Sequence, residues 1–221
     1  MDHRQMKCPR CVQVIHRGAE NCPHCGFSIS EVDLRFGSED VRIHRLEDAA
    51  GLMRSSERQR VEAAMDVFQK TFPQLFFAVH TGVPGERGDV RQFGFWLLNH
   101  AAFEDVAVDR PNEQGILLTI DPDAKSAGIT WGYGLDPYLT EKDTFLSLSR
   151  AHVYWVEGRF AEGILRAMGQ LTQTLVARSR RAQLDPEYFE RKVMSPSRSR
   201  KMRLLRRVGK RLIRNEVPTD S

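Results

Sequence analysis

Four cysteines, Cys8, Cys11, Cys22 and Cys25, fall within one short N-terminal stretch, and the rest of the chain has none. They form two Cys-x-x-Cys pairs separated by ten residues. Each pair curls so that two sulfurs point at one ion, and two pairs complete a tetrahedral set. Nothing marks the chain for export, since the N-terminus lacks an apolar signal-like run. The clustering therefore favours a metal over disulfides. Cys8, Cys11, Cys22 and Cys25 are the candidate ligands of a structural zinc, with His16 and His24 as spare donors nearby. The alternative is two redox dithiols, although a single pair would suffice for that chemistry. Gly26, just past the second pair, permits the left-handed backbone that such a turn needs.

This stretch resembles the small zinc ribbons that begin many bacterial proteins. A closed four-cysteine site leaves no open position for a substrate. Residues 1–30 therefore read as a stabilising or docking module with a protein partner. Lys7, Arg10 and Arg17 are thin support for a nucleic-acid surface.

At 221 residues the chain has room for one good-sized core besides this module. Residues 31–45 are polar and read as a linker, with a short strand at 41–43. An amphipathic helix is expected at 55–71, opened by a capping box at Ser56 and stopped near Pro73. Residues 75–80 read as a buried strand. Val90, Phe93, Trp96, Leu97, His100 and Ala101 mark a second helix at 89–103, with His100 as a core or helix-end residue. Residues 116–120 and 127–133 read as a β-hairpin. Thr140 opens a helix to about 152. Phe160, Ile164, Met168, Leu171 and Leu175 line the core face of a longer helix at 157–178. The order implies an α/β layered domain over residues 46–178.

Charge is unevenly spread. Residues 178–214 carry fourteen Lys/Arg against three Asp/Glu, whereas the whole chain is only +4. In residues 179–221 a basic amphipathic helix is expected at about 197–214. Leu205, Val208 and Leu212 form its apolar stripe. Arg198, Arg200, Lys201, Arg203, Arg206, Arg207, Lys210, Arg211 and Arg214 cover the rest. Such a helix suits an anionic membrane surface or an acidic protein groove. Lacking an aromatic residue for base stacking, it suits nucleic acid less well. The alternative is a solvated tail that orders only on a partner. No apolar run approaches the ~20 residues needed to cross a bilayer. The cytoplasm, peripheral to a membrane, is the expected location.

Four segments then carry a resemblance. Leu46-Glu47-Asp48-Ala49-Ala50-Gly51-Leu52, Gln114-Gly115-Ile116-Leu117-Leu118, Gly132-Tyr133-Gly134-Leu135 and Phe160-Ala161-Glu162-Gly163-Ile164 occur in the order of the TPM domain. That family includes thylakoid-lumen acid phosphatases and photosystem II repair proteins. The resemblance implies a Rossmann-like αβα sandwich with a small central sheet, preceded here by the ribbon and followed by the basic helical tail. It also implies that acidic loop residues in some members hold calcium or another divalent ion. Where the family often has Asp-Asn-Gly, this chain has Glu113-Gln114-Gly115.

Asp48, from the family motif, and Asp121, Asp123 and Asp136, from loop position, are the candidate carboxylates for such an ion. A divalent ion there would neutralise phosphate charge and activate water. The same Asp121-Pro122-Asp123 run is also ordinary hairpin-turn chemistry. No nucleophile has a recognisable setting: the domain lacks a P-loop, a Gly-x-Ser-x-Gly elbow and a cysteine. Two functions follow as expectations, a binding or adaptor module and a divalent-metal-dependent phosphatase.

Overall fold

The computed structural model describes residues 5–16, 18–83, 89–107 and 110–187. The chain divides into two units, Met1–Leu175 and Val176–Ser221. The basic helix expected at 197–214, with its nine cationic residues, lies outside the described residues.

The first unit is built on a four-stranded sheet. Strands β4 (Leu46–Asp48), β5 (Phe76–Thr81) and β7 (Gly115–Asp121) are parallel, and β8 (Ser126–Trp131) closes the hairpin antiparallel to β7, in the order β4-β5-β7-β8. Every residue of β7 is buried. The pleat sends alternate side chains into two separate cores. Phe77, Val79, Ile116, Leu118 and Ile120 enter one core, with α2 (Ser55–Thr71), α4 (Glu141–Val156) and α5 (Phe160–Leu184). Phe76, Ala78 and Leu117 enter the other, with α3 (Val90–His100). A central parallel strand covered on both faces reads as a continuous apolar run, which is how residues 116–120 look in sequence. The αβα sandwich follows from that double burial.

Two glycines in the quoted motifs have steric reasons. A Cβ on Gly132 would lie 2.3 Å from the backbone of Glu113, so the turn at Asn112–Gln114 and the turn at Tyr133–Leu135 interlock only around a bare Cα. A Cβ on Gly163 would lie 2.1 Å from Trp155 Nε1, which fixes how closely α4 and α5 meet.

Three expectations are corrected. Residues 31–45 are not an irregular linker. Helix α1 (Ile29–Phe36) begins at Ser28, whose hydroxyl accepts from Glu31 N at 3.2 Å, and it buries Val32. Phe36 then packs edge-on against Phe93, with ring centroids 5.2 Å apart. Strand β3 (Val41–Ile43) does form, and it pairs in parallel with β6 (Ala101–Phe103), residues whose periodicity reads as the end of the helix expected at 89–103. Finally, α2 spans 55–71 as expected, but its capping box sits at Arg54, two residues before Ser56: Glu57 accepts from Arg54 N at 2.8 Å. The box at Thr140 forms as read, with Asp143 accepting from Thr140 N at 2.8 Å. Helix α5 runs on to Leu184, and Ile164, Met168, Leu171 and Leu175 are its buried face.

Candidate metal centre

β1 (Gln5–Lys7) and β2 (Val14–His16) form a short antiparallel ladder that delivers Cys8 and Cys11 from the turn between them. The two knuckles share one backbone plan. Val12 N donates to Cys8 O and Gly26 N to Cys22 O, both at 2.9 Å. Cys8 N donates to Gln13 O at 2.9 Å and Cys22 N to Phe27 O at 2.8 Å. The residue after each second cysteine has positive φ, 74° at Gly26 and 61° at Val12. Glycine takes that conformation freely, whereas a β-branched valine is strained there.

The four sulfurs converge. Cys8 and Cys25 Sγ are 3.6 Å apart, Cys11 and Cys22 Sγ 3.7 Å, and all four lie within 4.8 Å of one another. No two of the sulfurs stand at the disulfide distance of about 2.05 Å, and all four are free thiols. A tetrahedral ion with metal–sulfur bonds of about 2.3 Å requires sulfur–sulfur edges of about 3.8 Å. The donor set therefore fits one metal ion. Among the described residues these cysteines are the group of three or more potential ligands whose atoms come close enough to share an ion. His16 and His24 stay outside it.

The thiols differ in their surroundings. Desolvation dominates at Cys8 and pushes it up to about 12 against backbone N–H donors from Cys11 and Arg10. At Cys22 desolvation is outweighed by the N–H groups of His24 and Cys25, and the thiol falls to about 6. Amides aimed at a sulfur stabilise its thiolate and orient it, the outer-shell support a metal ligand needs. A bound divalent ion would supply the charge that holds all four as thiolates.

The ribbon does not swing free. Cys8, Ile15, Cys22 and Phe27 belong to the same buried cluster as Phe93, Trp96, Leu97 and Leu98 of α3. Phe27 meets Phe95 edge-on at 6.1 Å. The Arg10 guanidinium lies 5.4 Å from the Phe27 ring centroid, pairs with Glu31 of α1 and reaches Gln92 Oε1 of α3 at 3.4 Å. Sequence reading missed this seat. Its local signals were the Ser28-x-x-Glu31 pattern of a helix start and the spacing of Ile29, Val32 and Phe36.

The four candidate acids do not come together. Asp48 is buried at the end of β4. Its Oδ1 accepts from Leu52 N at 3.0 Å and Thr81 Oγ1 at 2.6 Å, and its Oδ2 from Met53 N at 3.0 Å. Asp121 ends β7 at the same sheet edge, but the residue in line with Asp48 and Thr81 is Ile120. The pleat thus aims Asp121 at the opposite face. Its Oδ1 accepts from Asp123 N and Ala124 N, both at 3.1 Å, closing the turn in which Asp123 stands exposed. Asp136 follows the far end of β8, five ladder steps away, about 17 Å at the usual strand rise. There its Oδ1 accepts from Trp131 Nε1 at 2.9 Å, and desolvation, the leading influence, raises its pKa against that bond and the Lys7 charge. His100 ends α3, its Nδ1 3.0 Å from Trp96 O and its Nε2 3.5 Å from Asp33.

Fold and centre together define a two-part protein, an αβα domain carrying a four-cysteine ribbon on one face. The chain belongs to the TPM domain family, whose model matches residues 46–174. Over 40 residues, 18% of the chain, it is 42% identical to an uncharacterized protein of Haemophilus influenzae, of whose length it spans about half, 53%. Among solved structures, the N-terminal domain of a protein from P. gingivalis is similar at TM-score 0.47 and 20% identity, over 61% of this chain and 83% of that one. The BA42 protein of Bizionia argentinensis is similar at TM-score 0.47 and 15% identity, over 57% of this chain and 83% of that one. The N-terminal domain of the cg2496 protein of Corynebacterium glutamicum is similar at 0.46 and 16%, over 62% and 82%. Among the described residues no helix is long and apolar enough to cross a membrane.

Proposed function

We propose that this protein is a binding module, an adaptor, in which a zinc-stapled ribbon and a TPM domain present one fixed surface. The observation that carries this reading is the ribbon's seat on α3: metal knuckles and sandwich share a single core cluster. Zinc is the proposed ion because four thiolates in a closed tetrahedral set suit it and leave no position for a reactant. We further propose that the basic tail, through Arg198, Arg200, Lys201, Arg203, Arg206, Arg207, Lys210, Arg211 and Arg214, holds the module on an anionic surface.

The competing reading is a divalent-metal-dependent phosphatase acting through Asp48 and Asp121. The adaptor is favoured because Asp48 already satisfies two backbone N–H groups and a hydroxyl, and Asp121 two backbone N–H groups. The zinc-loaded full chain assayed on a generic phosphomonoester, with calcium, magnesium or manganese, separates the two. The adaptor predicts no turnover with any of the metals. Turnover abolished in Asp48→Ala and Asp121→Ala would establish the enzyme. Co-sedimentation with anionic vesicles tests the tail: binding should be lost when residues 196–221 are removed, and equal binding by the truncated chain contradicts it.

A further inference from the structure

The first knuckle also forms one wall of a cavity of about 190 Å³ between ribbon and sandwich. Cys8, Pro9 and Val12 line it from the ribbon, Phe95 from α3 and Trp131 from the end of β8. An apolar cavity of about 150 Å³ takes a benzene ring, so this one has room for a single ring or one side-chain stem.

Three features say what kind of group fits. The Trp131 ring is held in place, its Nε1 donating to Asp136 Oδ1 at 2.9 Å. The Lys7 ammonium lies over that ring, 5.5 Å from its centroid and 3.7 Å from Glu141 Oε1. The carboxylates at the rim, Glu113, Asp136 and Glu141, outnumber the cations, Lys7 and Arg91. The cavity therefore already seats a cation between an aromatic face and carboxylates. That cation is lightly held, because the Lys7–Glu141 pair is exposed, at 40% and 43% of the two side chains.

We propose that this cavity binds an organic cation, an ammonium or guanidinium on a short apolar stem, which displaces Lys7 from Trp131. The stem fills the apolar space beside Phe95 and Val12. The cationic head gains the ring face and the Asp136 and Glu141 carboxylates, and cation–π attraction strengthens as the bound stem excludes water from the ring. The head can come from a free amine or from an arginine side chain of a peptide. The site is independent of whether the acids at the far sheet edge act on a substrate.

The test uses the ¹⁵N-labelled full chain, its metal content measured first, and follows the Trp131 indole N–H, identified by its loss in Trp131→Phe. The probes are phenethylamine, an acetylated and amidated Gly-Arg-Gly peptide and, as neutral control, phenethyl alcohol. At least one cation should give a saturable shift, and the alcohol should bind at least tenfold more weakly. Tighter binding of phenethylamine points to a free amine, and tighter binding of the peptide to a partner's arginine. Asp136→Asn should weaken the cation at least fivefold, whereas Lys7→Met, which removes the built-in competitor, should tighten it about threefold. If Asp136→Asn does not fold, Glu141→Gln takes its place. No saturable shift with either cation, alcohol binding as well as amine, or weaker binding by Lys7→Met overturns the proposal. A chain that binds no metal contradicts the zinc reading alone, and the same titration then tests the cavity in that chain.

Discussion

The ribbon and the acidic sheet edge each offer residues of a metal-binding type, and they use them in opposite ways. In the ribbon, four cysteines converge with their backbone N–H groups arranged around the sulfurs. In the sandwich, Asp48 and Asp121 stand on opposite faces of one edge and Asp136 at the other, each already bonded within the fold. The difference lies in convergence. Both kinds of group accept backbone N–H donors, but the four sulfurs meet around one point that an ion can fill, whereas the carboxylates stand apart, each closing its own local bonds.

The largest break in this comparison comes from the ribbon. Cys22→Ser, or stripping the metal with a chelator, should cost at least about 4 kcal/mol, since loss of a structural metal is among the few changes of that size. Hydrogen exchange should show protection lost in the ribbon and on the α3 residues beneath it, Phe93 and Leu97, which share its cluster. Next is Asp48→Ala. It strands two backbone N–H groups and the Thr81 hydroxyl in a buried site and should cost about 2–4 kcal/mol in urea unfolding. Added calcium should not alter the loss, because the account gives Asp48 no ion to hold.

The two knuckles provide a finer contrast. Gly26→Val should cost about 1–2 kcal/mol, because a side chain is then forced to the positive φ that glycine holds there. Val12→Gly should gain about 0.5–1 kcal/mol by relieving the same conformation, and both are read from thermal unfolding of the zinc-loaded chain. Asp121→Ala should cost about 1 kcal/mol and Asp121→Asn far less, because an asparagine oxygen closes the same turn.

The smallest effect is a pH slope. Desolvation, the leading influence at His80, lowers its pKa in the folded protein below the usual 6.5, with weaker opposition from Gly82 and Glu47. The unfolded chain then binds a proton more readily over that window. Stability present above pH 6.5 is lost as pH falls towards the folded value. Denaturation at pH 7.5 and 5.5 should show the decline, and His80→Phe should flatten it.

How much of this was legible depended on whether the cause was local. The cysteine spacing, the Thr140–Asp143 box and the apolar runs of β5 and β7 are consequences of neighbours within a turn or a strand, and the fold followed from them. Gly132 and Gly163 could be recognised as motif residues, but their reason, the backbone of Glu113 and the Trp155 ring, appears only in three dimensions. Helix α1 was hidden because it is only two turns long: Ile29, Val32 and Phe36 recur at helical spacing, but the surrounding residues are mostly charged and only Val32 is fully buried. β6 was hidden because its partner β3 lies far upstream and its alanines fit a helix equally well. The acids looked alike in sequence because nothing local tells a free carboxylate from one already capping a turn.

X-ray absorption at the metal edge, on the full chain purified with its bound ion, decides whether the ribbon is a closed four-sulfur zinc site. The account predicts one zinc per chain with four sulfur neighbours at about 2.3 Å, and none retained in Cys22→Ser. An ion with oxygen or nitrogen in its first coordination sphere, or one retained by Cys22→Ser and lost in Asp48→Ala, would contradict it.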